Sequence, residues 1–360
     1  MEKQQITRWF LGANSGNGFS SLYEGFCRGD GDFLRVIKGG PGCGKSTFMR
    51  RIGEAAEARG LEVEYILCSG DPDSLDGVYI PALRLGYADG TAPHIMDPEC
   101  FGASGDYLNL GAYCNTAALR DRALELELLT LSYRKRYARA YSLLRAAANA
   151  SPAVSGAYIA EADRAAAAKR AASMAGRELP RAKKNTPRGH VTRRFLGGAT
   201  CQGRVFLTGT LPQLCERIYR LENTLGLGSV FIDAMADEAL MRGFDVTLCP
   251  NWLDPSLNEA LAIPELGLGF VADCGDNATL PDTCRCLHLD SLPDAASSRS
   301  ARKKFRAEAR LAKELTDLAI NSLGQAKQLH DQLESVCLSY VNFTELSEAA
   351  GRELARLRLG

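Results

Sequence analysis

The feature that most constrains the fold is an internal repeat. The segment "TRWFLGANSGNG" at residues 7–18 returns as "TRRFLGGATCQG" at residues 192–203. Further on, "ARGLEVEYILC" and "IPALRLGYADG" are followed, in the same order, by "MRGFDVTLC" and "IPELGLGFVAD". Self-similarity of this kind indicates one structural unit that is present twice. The chain is therefore predicted to fold as a tandem duplication.

A glycine-rich loop in the first copy has the composition of a phosphate-binding loop. The sequence "GGPGCGKST" at residues 39–47 follows the apolar run "FLRVIK" and precedes a segment with helical spacing. It satisfies the pattern GxxxxGK[ST], in which glycines let the backbone approach a polyphosphate, lysine reaches the β and γ phosphates, and the hydroxyl binds Mg²⁺. Backbone N–H groups at the following helix N-terminus also favour an anion. The residues predicted to bind nucleotide are Gly39, Gly40, Pro41, Gly42, Cys43, Gly44, Lys45, Ser46 and Thr47.

The order of elements around this loop predicts an α/β fold with a parallel sheet in each copy. Strands are expected at residues 34–38, 62–69 and 83–89, and a helix at residues 45–59 with Gly60 as its C-terminal stop. Alternation of strands and helices is typical of parallel sheets covered by helices. Ligands of such sheets bind at the carboxyl ends of the strands.

Two acidic residues follow predicted strands and are candidates for the metal site. Asp89 ends "LRLGYAD" and is placed like the Walker B aspartate, which holds Mg²⁺ in P-loop NTPases. Asp71 is the less favoured alternative. Both residues also have a purely structural explanation, because aspartate followed by glycine or proline is common in turns. Ser46 and Asp89 are thus the predicted metal ligands. No glutamate follows Asp89, so fast hydrolysis is not expected, and His94 and Asp76 are the nearest candidates for a base.

The second copy has a loop of similar outline that contains no lysine. The sequence "NTLGLGSVF" at residues 223–231 lies where the first copy has its phosphate-binding pattern. Aligning the glycines of the two loops places Ser229 opposite Lys45, whereas aligning the helix ends places Gly228 there. Neither residue carries an amine. The alternatives opposite Ser46 are Val230 and Ser229.

No nearby lysine replaces the one that the second loop lacks. The sequence has no lysine between residues 184 and 303. A site supplied by Arg217 or Arg220 is the disfavoured alternative. The chain is therefore predicted to bind one nucleotide, with the second loop retained for its packing.

A long helical stretch follows each predicted sheet, at residues 116–179 and 295–358. The sequence "NASP" at residues 149–152 breaks the first stretch, so each is predicted to form a helical hairpin. A hairpin beside a nucleotide is one way to build a lid that excludes water. The predicted domains are a P-loop NTPase domain at residues 1–186 and a degenerate P-loop-like domain at residues 187–360.

Composition narrows the class of protein only slightly. Forty-three basic residues balance forty-three acidic ones, which does not favour a nucleic-acid partner. No apolar stretch is long enough for a signal peptide or membrane span, so a cytoplasmic protein without a membrane partner is expected. The twelve cysteines are expected to be reduced thiols. A protein partner or homo-oligomer is left open.

The motifs also carry a family resemblance. The segments "FLGANSGNGF", "KGGPGCGKST", "DPDSLDG" and "DGTAPH", together with the duplication, resemble a little-characterised bacterial family of tandem P-loop ATP-binding proteins, often labelled ATPases or nucleotide kinases. The likeness covers nearly the whole chain. It implies ATP binding at residues 39–47 with Asp89 as the acidic partner, and the second loop departs from the family pattern.

Three functions are compatible with these features. The favoured one is a slow Mg²⁺-dependent ATPase or nucleotide-driven switch that uses the first site only, with Lys45, Asp89 and His94 as catalytic candidates and a nucleoside triphosphate as ligand. The first alternative is a phosphotransferase acting on a nucleotide or small molecule. The second is a scaffold that binds nucleotide without turnover.

Overall fold

The computed structural model describes residues 4–93, 95–182, 185–272, 280, 284–291 and 299–359. The first half contains β1 Ile6–Phe10, β2 Gly12–Ser15, β3 Gly18–Ser21, β4 Phe33–Lys38, α1 Lys45–Ala58, β5 Val63–Leu67, β6 Leu75–Ile80, β7 Leu85–Asp89, β8 Gly105–Asn109, α2 Thr116–Leu119, α3 Ala123–Ala150, α4 Pro152–Ser155 and α5 Glu161–Glu178. The second half contains β9 Val191–Arg193, β10 Gly197–Thr200, β11 Gly203–Phe206, α6 Leu211–Leu214, β12 Arg217–Leu221, α7 Leu227–Met241, β13 Val246–Pro250, β14 Asn258–Ile263, β15 Leu268–Ala272, β16 Arg285–Leu287, α8 Arg299–Leu338 and α9 Phe343–Arg356.

Each half is built on a six-stranded sheet, and the two sheets have the same strand order. The first runs β1-β5-β6-β7-β4-β8, and the second runs β9-β13-β14-β15-β12-β16. A separate two-stranded ribbon accompanies each sheet, β2-β3 in the first half and β10-β11 in the second. The architecture is therefore α/β and consistent with the predicted duplication.

The sheets are mixed rather than parallel, which corrects the sequence prediction. In the first sheet β6 pairs antiparallel with both β5 and β7, while the β1–β5, β4–β7 and β4–β8 pairs are parallel. The cause is the short connection between β6 and β7, a single 3₁₀ turn at Pro81–Leu83. A parallel neighbour would need a crossover of a dozen or more residues, so the chain can only turn back. The same turn delays the strand predicted from residue 83 until Leu85.

Helix α1 matches its prediction closely because both ends have clear local causes. It begins after Gly44, whose φ of 72° is left-handed, and it ends before Gly60, whose φ is 76°. Glycine adopts these angles without the steric cost of a Cβ. The inward face buries Phe48, Met49 and Ile52 against the first sheet. The helix is thereby fixed at the carboxyl end of β4.

The long helices pack across the two halves. Helices α3 and α8 lie antiparallel: the Ser322 hydroxyl donates to the Arg136 carbonyl at 2.9 Å, and the Asn115 N–H donates to the Tyr340 carbonyl at 2.8 Å. Helix α5 packs on α7 of the second half, and α9 packs on α1 of the first. This arrangement differs from the predicted hairpins, in which the two helices of each half would pack on each other. Instead, α5 buries its apolar face on the second half and α9 buries its apolar face on the first.

In the part of the chain that the structure describes, no helix is both long and apolar enough to cross a membrane. The cysteines in that part are free thiols, as expected from the sequence.

Candidate functional site

The glycine-rich loop joins β4 to α1 and needs two left-handed residues. Gly42 and Gly44 both have a φ of 72°. Buried Cys43 lies between them, with its side chain close to Gly39 and Gly40. The path brings the loop to the N-terminal end of α1, where the first backbone N–H groups of a helix have no partner inside the helix.

The N–H groups of this loop form a cluster of donors. The Gly42 N–H donates to the Glu334 carboxylate of α8 at 3.3 Å. No hydrogen-bond partner for the N–H groups of residues 44–47 occurs among the described residues. Several donors at the positive end of a helix attract an anion. The loop thus forms a cradle of backbone donors at a helix N-terminus, and a carboxylate occupies one of these donors.

Lys45 and Asp89 lie together at this cradle. The Lys45 ammonium donates to the carbonyls of Gly39 and Gly40 at 2.9 and 3.0 Å, and it lies 3.6 Å from the Asp89 carboxylate. The two side chains are only 12% and 14% exposed. Asp89 also accepts hydrogen bonds from the N–H and hydroxyl of Thr91. The predicted lysine and acid are therefore neighbours in space, although they come from different elements.

The Ser46 hydroxyl has a defined structural contact. Its oxygen accepts the N–H of Leu75, the first residue of β6, at 2.9 Å. In the second half, Ser229 accepts the N–H of Asn258, the first residue of β14, at 2.9 Å. The contact joins the helix to the sheet in both halves, so it exists independently of an anion site. A serine oxygen with one accepted hydrogen bond still has a second lone pair for another partner.

The other predicted candidates have different environments. Asp71 lies 3.3 Å from the Lys327 ammonium of α8. Asp76 is buried and accepts a hydrogen bond from the Tyr23 hydroxyl at 2.8 Å. Its position inside the core favours a structural role over that of a base. His94 lies outside the described residues.

Residues from the second half cover the loop. We call residues 334–346, the end of α8 and the start of α9, the cover segment. A Cβ added at Gly44 would lie 2.6 Å from Leu346 Cδ2, and one added at Gly42 would lie 3.3 Å from Leu338 Cγ. His330 and Asp331 lie beside Glu334. A ring nitrogen of the histidine and a carboxylate oxygen of each acid lie within 4.8 Å of one another. Sequence reasoning missed these residues, since Glu334 is 292 positions away from Gly42.

The equivalent contacts of Ser46 and Ser229 decide between the two alignments of the loops. Since these serines bind the first residues of equivalent strands, Gly228 stands where the first half has Lys45. The helix ends agree, because Arg59 and Arg242 are the corresponding C-caps. The last residues of β7 and β15 are Asp89 and Ala272. The second half therefore lacks both charged residues, and the alanine was already visible in the repeat "IPELGLGFVAD".

Side chains of the second half satisfy their own loop. The Asp290 carboxylate accepts the N–H groups of Thr224 and Leu225 at 3.2 and 3.3 Å. The Asn223 side-chain oxygen accepts the N–H of Gly228 at 2.7 Å. These acceptors take the loop donors that a phosphate would require. The outline of the loop is thus stabilised without an external anion.

Gly111 is the residue of the first half that corresponds to Asp290. Leu108 and Leu287 occupy equivalent positions in the two sheets. Leu108 pairs with the strand residue that also pairs with Asp89, and Leu287 pairs with the strand residue that also pairs with Ala272. Gly111 and Asp290 each lie three residues further on. A Cβ on Gly111 would be 3.5 Å from the Cα of Gly39. Glycine at this position keeps a carboxylate away from the first loop.

Comparison with known proteins leaves this geometry as the basis for assigning a function. No protein-family model, curated protein or solved structure matches the chain.

Proposed function

We propose that the first half binds Mg²⁺-ATP at residues 39–47, and that the protein is a slow ATPase or nucleotide-driven switch with this single site. The observation that carries the proposal is the position of Lys45. Its ammonium lies 3.6 Å from the Asp89 carboxylate, beside helix N–H donors that have no partner in the described chain. Such a cation and donors suit a polyphosphate, and the carboxylate suits the accompanying Mg²⁺.

Each residue has a specific part in this proposal. Lys45 exchanges the carbonyls of Gly39 and Gly40 for phosphate oxygens, which accept a stronger, charge-assisted hydrogen bond. Ser46 and Asp89 are the residues that would hold Mg²⁺, which when bound neutralises phosphate charge. Gly90, rather than a glutamate, follows Asp89. Without an acid there to orient water, turnover is expected to be slow.

The cover segment gives this site the properties of a switch. The Glu334 carboxylate accepts a hydrogen bond from the Gly42 N–H. A phosphate at the cradle would compete with this carboxylate for the same donor. Two anions at one cluster of donors repel each other, so nucleotide binding displaces Glu334. Because Leu338 and Leu346 pack on the same loop, displacement moves the ends of α8 and α9. Nucleotide in the first half thereby changes the position of helices from the second.

Calorimetric titration of the full chain with Mg²⁺-ATP tests the proposal. We expect one bound nucleotide per chain, since Gly228 and Ala272 replace the charged residues in the second half. Phosphate release without an added acceptor would support an ATPase, whereas acceptor-dependent loss of ATP would identify a phosphotransferase. Tight binding without either would identify a scaffold. Two equivalent sites, or no heat of binding, would contradict the single-site assignment.

Removing the charge of Glu334 should strengthen nucleotide binding. In Glu334→Gln the amide oxygen can still accept the Gly42 N–H, but it no longer repels phosphate. The neutral amide is a weaker acceptor than the carboxylate by roughly 0.5–1.5 kcal/mol, which corresponds to about two- to tenfold tighter nucleotide binding. Titration with Mg²⁺-ATP measures the change. Glu348→Gln, on the exposed face of α9, is the matched control. Weaker binding by Glu334→Gln would show instead that the carboxylate supports the bound nucleotide or its metal.

A further inference from the structure

A cavity of about 840 Å³ lies over the loop of the second half. This volume is within the range of small-molecule sites, about 300–1,000 Å³. Phe206, Trp252 and Phe305 supply aromatic walls, and Ala272 and Asn223 lie at the end nearest the loop. The cavity is therefore large enough for a ligand with flat rings, and it occupies the face on which the first half has Lys45 and Asp89.

Glu259 gives this cavity an unsatisfied polar group. Its side chain lines the cavity, and the residue is only 2% exposed. One carboxyl oxygen accepts the Asn251 side-chain N–H at 2.9 Å, while the other, Oε1, is buried with no hydrogen-bond partner in the described chain. The equivalent residue of the first half, Asp76, is bonded to Tyr23. A buried polar atom without a partner is costly, so its retention beside a cavity points to a ligand.

At the loop end of the cavity, three N–H groups that could bind a phosphate already have acceptors within the chain. Asp290 and the Asn223 side chain already accept the loop N–H groups. Gly228 supplies no cation in place of Lys45. A phosphate would compete with the Asp290 carboxylate for these N–H groups, and the cations that line the cavity, Arg204 and Lys313, come from β11 and α8 and not from the loop.

We propose that the cavity binds an uncharged nitrogen heterocycle of nucleoside size, which stacks on the aromatic wall and accepts a hydrogen bond from the Glu259 carboxyl at a ring nitrogen. Free purine or pyrimidine nucleosides have this chemistry, whereas their phosphates carry charge that the loop cannot accommodate. The second half thus senses a base without phosphate, independently of the nucleotide site of the first half.

The protonation of Glu259 agrees with a donor role. Burial raises its pKa to about 8, although Arg204 and the Asn251 hydrogen bond act in the opposite direction. Its carboxyl therefore carries a proton at pH 7 and loses it as the pH rises through about 8. The other charged or titratable groups around it are Cys249 of β13, Glu222 at the loop, and Lys313 and Asp317 of α8.

Titration of the full chain with adenosine and cytidine, followed by calorimetry and Trp252 fluorescence, tests the proposal. Both probes have ring-nitrogen acceptors and no group that titrates between pH 7 and 9. We expect at least one to bind at pH 7, and its affinity to fall about tenfold at pH 9 as Glu259 loses its proton. Glu259→Gln keeps a donor, so binding should persist and lose its pH dependence. Ala309→Trp fills the cavity and should weaken binding at least tenfold.

Ala309→Trp distinguishes the two sites, because Ala309 lines the cavity of the second half. It should weaken nucleoside binding and leave Mg²⁺-ATP affinity unchanged, so failure of ATP binding and failure of nucleoside binding are separate results. The proposal is overturned if neither nucleoside binds at millimolar concentration, if Ala309→Trp leaves nucleoside affinity unchanged, or if the loss at pH 9 persists in Glu259→Gln.

Discussion

Lys45→Ala is expected to weaken Mg²⁺-ATP binding by about 30-fold or more. The Lys45 side chain is only 12% exposed and its ammonium already donates to two loop carbonyls, so it is positioned before nucleotide binds. Truncating one partner of a buried, hydrogen-bonded charge pair typically costs about 2–5 kcal/mol, and each 1.4 kcal/mol is tenfold in affinity. Calorimetric titration at fixed Mg²⁺ concentration measures the loss.

Two controls make this result specific. Lys304→Ala removes an exposed lysine of α8 and should leave ATP affinity unchanged. Circular dichroism of Lys45→Ala should match the wild type, because among the described residues the lysine contacts its own loop and Asp89. If Lys45→Ala were folded and bound ATP with unaltered affinity, residues 39–47 could not be the nucleotide site.

The two halves differ in charge beside the loop at a few positions. Lys45 and Asp89 correspond to Gly228 and Ala272, so the second half lacks both charges near the loop. The Asp290 carboxylate, which belongs to the same chain, accepts hydrogen bonds from N–H groups of this loop. Since these changes leave strand order and helix ends the same, the second half keeps its packing. The charges beside the loop can therefore differ while the architecture stays the same.

The features that sequence could predict are local ones. The glycines of the loop, the helix from Lys45 and its stop at Gly60 each depend on neighbouring residues, and the structure has them where expected. The proximity of Lys45 and Asp89 follows from a general property of α/β sheets, since Asp89 ends β7 and Lys45 begins the helix that follows the adjacent strand β4.

What sequence could not predict depends on contacts between distant residues. The antiparallel strand β6 follows from a short turn, but the exchange of α5 and α9 between the halves follows from which apolar surfaces fit together. The spacing of apolar residues along a helix predicts which face is buried, but it does not predict which element that face packs against. For the same reason Glu334 and the cover segment could not be found from the first copy alone.

The hydrogen-bonded charges that hold α9 on the first sheet should make a large contribution to stability. Glu353 of α9 is nearly buried and accepts hydrogen bonds from Arg35, Arg356 and the Tyr87 hydroxyl. Burial alone would raise the pKa of this carboxyl, but the hydrogen bonds from Arg356, Tyr87 and Arg35 outweigh it and lower the pKa to about 2. Glu353→Gln removes the charge at nearly constant volume. We expect a loss of roughly 3 kcal/mol in the free energy of unfolding at pH 7.

This loss should depend on pH in a defined direction. The pKa of Glu353 is lower in the folded protein than its ordinary value of 4.5, so its contribution is complete above pH 4.5 and disappears as pH falls towards 2. Denaturant unfolding of wild type and Glu353→Gln should therefore differ most at neutral pH and converge between pH 4.5 and 2. Glu348→Gln, an exposed change on the same helix, should show no such convergence. A difference that stays constant down to pH 2 would mean that lost packing, and not the charge, is responsible. Because α9 also carries Leu346 onto Gly44, the same charge holds the cover segment over the proposed ATP site.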